Sequence, residues 1–168
     1  MKHLWAPWRM EYISQEKTET SKACIFCSRI SQKKDKKNLI IFRGKMAFII
    51  MNRFPYNNGH LMVVPYRHIG DLLQLKKDEK GDLFQLIQWS VKALEVVMKP
   101  HGFNIGMNLG RVAGAGVEDH LHFHVVPRWN GDTNFMPILA DTKVVSEALE
   151  KSYQKLQTAF VQISGRKK

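Results

Sequence analysis

A chain of 168 residues and 19.5 kDa, 44% hydrophobic and 24% charged, has the composition of one folded globular domain, which excludes a disordered or fibrous protein. No apolar run approaches the roughly 18 residues needed to cross a bilayer, and Lys2, Pro7 and Arg9 interrupt the apolar residues of MKHLWAPWRM; neither a span nor a secretory signal is expected, and the chain reads as cytoplasmic. The formal charge of +11, from 26 Lys+Arg against 15 Asp+Glu, favours polyanionic partners without choosing among nucleic acids, acidic membranes and nucleotide phosphates.

The first informative residues along the chain are its only two cysteines, Cys24 and Cys27. A two-residue gap in a chain lacking a secretory signal favours a metal or redox pair over a structural disulfide. The polar, lysine-rich stretches 14–23 and 32–38 read as solvated connections on either side, which puts the pair on a short knuckle at about residues 20–31. LIIFR from Leu39 and MAFIIM after Gly44 then form two short apolar runs separated by a turn, as in a hairpin. A third strand, HLMVVP from His60 to Pro65, follows the turn-rich RFPYNNG.

The period then changes. Leu83, Leu86, Ile87, Val91, Leu94, Val97 and Met98 recur at spacings of three and four, which predicts a long amphipathic helix from Asp78, a candidate cap, to Met98, with Pro100 just beyond. Phe103–Leu109 and His120–Pro127 read as two more strands joined by the glycine-rich GRVAGAG. A second helical pattern runs through Val145, Leu149, Tyr153, Leu156, Phe160 and Ile163, and residues 165–168 form a frayed tail. Strands arriving in neighbouring pairs around one long helix predict an α+β fold: one domain over 1–168, an antiparallel sheet of about five strands, the long helix and a C-terminal helix.

The segment with the most chemistry is His120-Leu121-His122-Phe123-His124-Val125-Val126. Period-two alternation predicts three imidazoles on one face of a strand, with Leu121, Phe123 and Val125 on the other against the core. At a rise of about 3.3 Å per residue, neighbouring histidines lie roughly 6.6 Å apart and the outer two roughly 13 Å. Two neighbours can converge on one metal ion and all three only with difficulty, so the row must divide its labour. A neutral imidazole is a good nucleophile toward phosphorus at neutral pH, and its neighbours can orient it and donate to phosphate oxygens.

HLHFHVV fits the histidine-triad pattern, and the chain resembles that superfamily of nucleotidyl hydrolases and transferases. AFIIMNRFPYNNGHLMVVPYRH is similar to the family's strand, nucleotide-binding turn and second strand, and DLFQLI to the helix that follows. LWAPWRMEYI and NLGRVAGAGVEDHLHFHVVPRWNGDTNF resemble most the bacterial branch that contains diadenosine tetraphosphate phosphorylases. The resemblance implies that His122 attacks the α-phosphorus and becomes a nucleotidyl-histidine, that His124 donates to phosphate oxygens, and that His60 supports the network. It implies that Asn52 binds the ribose hydroxyls, that Asn108 contacts the phosphate, and that Phe26 and Ile50 line the base pocket. Zinc-bearing relatives combine a CxxC pair with two histidines, and the matching set here is Cys24, Cys27, His68 and His120, implying a closed structural zinc site and no organic cofactor.

One departure from the family pattern lies just before the triad. Many hydrolase members carry Gln or Ser there, whereas this chain has Gly114, Ala115, Gly116, Val117, Glu118 and Asp119. Backbone N–H groups around Gly114 and Gly116 are the remaining candidates for the phosphate, which leaves open whether water or inorganic phosphate resolves the intermediate. Trp129, Asn130 and Asp132 are candidates to border a second nucleotide. The expected activity is cleavage of a dinucleoside polyphosphate, by phosphorolysis to ADP and ATP or by hydrolysis, with inorganic phosphate a possible co-substrate. The alternatives are hydrolysis of adenosine phosphoramidates, a zinc-stabilised nucleotide- or RNA-binding module without turnover, and a zinc hydrolase with His120 and His122 as metal ligands. A homodimer or homotetramer is expected from the relatives, and neither a membrane nor a nucleic-acid partner.

Overall fold

The computed structural model describes residues 23–132 and 149–165. In chain order these form helix α1 (Ile25–Ser31), a four-residue helix α2 (Asp35–Asn38), strands β1 (Ile40–Arg43), β2 (Ala47–Met51) and β3 (Leu61–Pro65), the long helix α3 (Lys77–Met98), strands β4 (Gly102–Gly106) and β5 (Phe123–Arg128), and helix α4 (Leu149–Ser164). All strand pairs are antiparallel and the sheet order is β1-β2-β3-β5-β4, the α+β architecture expected. LWAPWRMEYI, Val145 and residues 166–168 lie outside the described residues. Among the described residues no helix is long and apolar enough to cross a membrane.

The central strands are apolar at every position because both faces of the sheet are covered. Ala47, Ile49, Met51, Leu61 and Val63 point to a large core with α3 and α4, where Leu83, Leu86, Leu94, Leu156 and Phe160 meet them. Their neighbours Phe48, Ile50, Met62 and Val64 point the other way, into a smaller cluster closed by Phe26 of α1. Period-two geometry makes this division; continuous burial hides it from a hydropathy pattern. Met62 pairs with His124 across β3 and β5, so the last triad histidine emerges on the face that α1 covers.

Several boundaries differ from expectation. The strand predicted over His120–Pro127 begins only at Phe123. The ladder stops there because the next partners are engaged elsewhere: His120 Nε2 donates to the Pro65 carbonyl at 2.9 Å, and the Leu121 N–H donates to the Ile69 carbonyl. Leu121 and Val125 nevertheless sit in the core, with Phe123 packed against it. With β5 beginning at Phe123, β4 runs out of partners at Gly106, short of the predicted Leu109. The stretch 32–38 is not merely a solvated connection, since it includes α2 and buries Asn38, whose Nδ2 donates to the Arg29 carbonyl. Cys24 immediately precedes α1 and Cys27 lies in its first turn.

Asp78 is not the cap of α3. The Lys76 N–H donates to the Glu79 carboxylate at 2.9 Å, which Arg67 also grips through Nε and Nη2 at 2.8 and 2.7 Å. These bonds, Arg67 first, hold the Glu79 carboxyl down at about 2 against its desolvation. A carboxyl with a depressed folded pKa contributes stability that is complete above its ordinary range and lost as pH falls through the folded value. The unfolding temperature should therefore drop between about pH 4.5 and 2, and Glu79→Gln should flatten that acid limb in calorimetric scans.

Candidate active site and metal cluster

Three segments converge on the sheet face covered by α1: the start of α1, the turn between β2 and β3, and the approach to β5. The turn depends on Gly59, which adopts φ +75°; a Cβ there would lie 2.5 Å from Met98 Sδ and 2.9 Å from Leu94 Cδ2. Only glycine permits both the left-handed backbone and this closeness to α3. The next residue, His60, is fully buried. Its Nδ1 accepts from the Tyr56 N–H at 3.1 Å, and the Tyr56 ring stacks on the imidazole at 4.8 Å.

That bond fixes the protons of a chain of imidazoles. With Nδ1 accepting, neutral His60 carries its proton on Nε2, which lies 2.9 Å from His124 Nδ1. His124 then accepts at Nδ1 and carries its own proton on Nε2. His122 is fixed in the opposite sense: its Nδ1 donates to the His120 carbonyl at 2.8 Å, leaving a lone pair on Nε2. Burial lowers the pKa of His122, opposed by the bond to His120, so the ring is neutral at neutral pH. The His122 and His124 rings sit 4.9 Å apart, edge to face.

His122 and His124 border a cavity whose other walls include Phe26, Asn52, Gly114 and Gly116. Phe26 lies against both His120 and His122, at ring distances of 5.3 and 5.2 Å. The Asn52 side chain accepts from the Phe54 N–H at 2.9 Å, and its amide nitrogen lies 3.4 Å from His60 Nδ1. Two expected residues stand back from the cavity. Ile50 is buried and is absent from the lining, which instead includes its cross-strand partner Met62. Asn108 donates to the Gly114 carbonyl at 3.2 Å and so braces the glycine loop from behind. The walls also hold Arg29, Arg53 and Tyr56, which the sequence reading did not single out; the only local signal was that Arg53 and Tyr56 fall within RFPYNNG. Asp132 is drawn into a clasp, with Arg128 bidentate on its carboxylate and Asn57 donating at 2.7 Å.

A second histidine-bearing cluster adjoins the cavity through His120. Cys24, Cys27, His68 and His120 bring one sulfur or ring nitrogen each to within 4.8 Å of one another. His120 Nδ1 lies 3.2 Å from Cys24 Sγ, 3.6 Å from Cys27 Sγ and 3.3 Å from His68 Nδ1, which is 3.5 Å from Cys27 Sγ. Four ligands around a tetrahedral ion with bonds of 2.0–2.3 Å would be separated by about 3.3–3.8 Å, close to these distances. The His120 tautomer fits as well: donation from Nε2 to Pro65 leaves Nδ1 bare toward the sulfurs, and such an outer hydrogen bond is the usual way a ligand imidazole is oriented. Burial, and then the facing Cys24, pushes the Cys27 thiol up, a cost that a divalent cation between the sulfurs would reverse. These four residues can hold a metal ion.

Comparison with known proteins agrees with this geometry. The HIT domain family matches residues 33–131. The chain is 39% identical over 166 residues to a Mycobacterium tuberculosis protein named AP-4-A phosphorylase, covering 95% of this chain and 85% of that one. It is 29% identical over 122 residues to the asymmetrical bis(5'-nucleosyl)-tetraphosphatase of Schizosaccharomyces pombe, covering 73% of this chain and 63% of the relative. A crystal structure of a zinc-bound histidine triad family protein from Mycobacterium smegmatis superposes with a TM-score of 0.68 at 26% identity, covering 85% of this chain and 96% of the other. With its buried imidazole chain, its antiparallel sheet and a family match over most of its length, the chain belongs to the HIT family.

Proposed function

We propose that the protein is an enzyme that cleaves dinucleoside polyphosphates, diadenosine tetraphosphate first among them, through a covalent nucleotidyl-His122. The observation that carries the reading is the opposed tautomers of His122 and His124: one presents a lone pair and the other a proton at the edge of the same cavity. In the first step Nε2 of His122 forms a bond to the α-phosphorus while the Pα–O bond to the departing ATP breaks. His124 Nε2–H donates to a phosphate oxygen, and His60 and the Tyr56 N–H hold its ring in that tautomer. In the second step an oxygen of inorganic phosphate attacks the same phosphorus, the P–N bond breaks, its electron pair returns to Nε2, and ADP leaves; water in that role would give AMP. Most of the catalysis comes from positioning and from stabilising charge on the phosphoryl oxygens. Asn52 takes the ribose hydroxyls and Phe26 the base.

The 39% identity to the mycobacterial phosphorylase supports phosphorolysis, with inorganic phosphate as co-substrate. The test is product analysis with diadenosine tetraphosphate, with and without inorganic phosphate. ADP and ATP formed only with phosphate are expected; AMP and ATP formed equally in both would make the enzyme a hydrolase, and no turnover would sink the reading. For the cluster of Cys24, Cys27, His68 and His120 we infer zinc, on the ligand set and on the zinc-bound relative. Bound there, zinc supplies a structural cross-link and leaves no open position for substrate. A zinc hydrolase using His120 and His122 is not favoured, because the grouped ligand atoms include His120 and leave out His122. A homodimer is expected: β4 lies at the sheet edge with Ile105 exposed, and Phe84 is exposed on α3.

The mechanism carries a pH dependence. Protonation of His122 removes the attacking lone pair, so kcat/KM, which reports the groups of the free enzyme, should fall on the acid side. Because burial lowers this group's pKa, the fall should come below about pH 6.5, the ordinary imidazole value. A kcat/KM that rises as pH drops through that range would remove neutral His122 from the chemistry.

A further inference from the structure

α1 belongs to two sites at once. Its N-terminal end carries Cys24 and Cys27 of the metal cluster, while Ile25, Phe26 and Arg29 line the cavity that holds His122. The helix has only seven residues and no side-chain cap at its N-terminus, too short to hold its shape unaided. Its far end is tied down: Asn38 Nδ2 donates to the Arg29 carbonyl at 3.0 Å, and Arg43 Nη2 to the Ile30 carbonyl at 3.2 Å. Among the described residues, the near end is held by the packing of Phe26, which is 1% exposed, with Cys24 and Ile25 against the same apolar cluster, and by the meeting of the two sulfurs with His68 and His120. Two of the three α1 residues that wall the cavity, Ile25 and Phe26, therefore lie at the end that a metal ion would order, while Arg29 lies at the tied end.

We propose that metal at Cys24, Cys27, His68 and His120 and nucleotide in the cavity bind with positive cooperativity, coupled through Phe26, the side chain that borders both sites. This rests on the reading above that the cavity takes a nucleotide. A metal ion pins the cysteine-bearing turn and so sets Phe26 against the His120 and His122 rings; a base packed on Ile25 and Phe26 pins the same turn from the other side. Whichever ligand arrives first meets the ordering cost, and the second binds to a wall already in place. Linkage then requires the same factor in both directions, and coupling of this kind commonly spans about 5- to 150-fold. The cluster is in this sense a determinant of nucleotide affinity as well as a structural clasp.

The experiment measures AMP affinity by calorimetry on zinc-loaded and chelator-stripped protein, and zinc affinity by chelator competition with and without saturating AMP. Both ratios are expected near tenfold and equal to each other. Phe26→Ala should keep its zinc and lose most of the coupling, so that its AMP affinity no longer follows metal occupancy. Equal AMP affinity with and without zinc, or undiminished coupling in Phe26→Ala, would overturn the proposal while leaving nucleotide binding intact. Absence of AMP binding to the zinc-loaded protein would instead remove the nucleotide reading and this proposal with it. Should the stripped protein lose its circular dichroism, the rate of zinc release from the native protein decides: slowing by AMP in the parent but not in Phe26→Ala supports the coupling, and a rate indifferent to AMP overturns it.

Discussion

His122→Asn should fold as the parent does and lose turnover by on the order of 10⁴-fold or more, the scale on which removing a covalent nucleophile acts. The asparagine amide can still donate to the His120 carbonyl that now holds Nδ1 at 2.8 Å, so the backbone before β5 keeps its tie. What it lacks is a ring nitrogen with a lone pair at the position of Nε2. His122 is 6% exposed beneath Phe26, and the smaller asparagine leaves a small gap there, for which a modest loss of melting temperature is expected. Mass spectrometry of enzyme trapped with substrate should find an acid-labile nucleotidyl adduct in the parent alone. The same adduct on His122→Asn would place the nucleophile at another residue.

Cys24→Ser should lower the melting temperature by on the order of 10 °C, while the maximal rate of the protein that remains folded changes far less. Structural zinc contributes about 10–16 kcal/mol of binding free energy in small metal-dependent folds, and in a chain of this size each kcal/mol moves the melting temperature by about 2–4 °C. Losing one of four ligands removes only part of the first figure, because His68, His120 and Cys27 still face one another at 3.3–3.6 Å. Thermal scans paired with metal analysis test this: about one zinc per chain in the parent and less in the variant are expected. Metal-free parent protein, purified without chelator and melting where Cys24→Ser melts, would count decisively against a structural ion.

The period of three and four that runs through Leu83, Leu86, Ile87 and Leu94 located α3 to within a residue, since one face of that helix packs on the sheet and the other meets water. The alternation of His120, His122 and His124 was equally legible, yet only His124 lies on a strand. His120 Nε2 takes the Pro65 carbonyl, a side-chain claim on a ladder acceptor that no local pattern reveals. Ile50 was expected in the cavity and Met62 was overlooked because both faces of β2 and β3 are buried, so hydropathy alone does not tell which residue meets a ligand. Tyr56 escaped notice for a related reason: its part is played by a backbone N–H and a ring stacked in an irregular turn, and neither leaves a spacing to read.

The contact between Cys24 and His120 joins residues 96 positions apart. During synthesis the growing chain displays CxxC early, makes β1 to β3 and α3, and completes the four-ligand set only when the segment before β5 has left the ribosome. That same segment delivers His122 and His124, so the fourth candidate metal ligand and the two histidines of the proposed chemistry emerge within a few residues of each other. Closing so long a loop is entropically costly for a free chain, and it becomes easy only once the sheet has brought β3 beside β5. A nascent or truncated chain ending before His120 would carry three of the four ligands, none of the triad and no β5. A tetrahedral site that needs all four of these side chains would therefore form only after His120 has been synthesised.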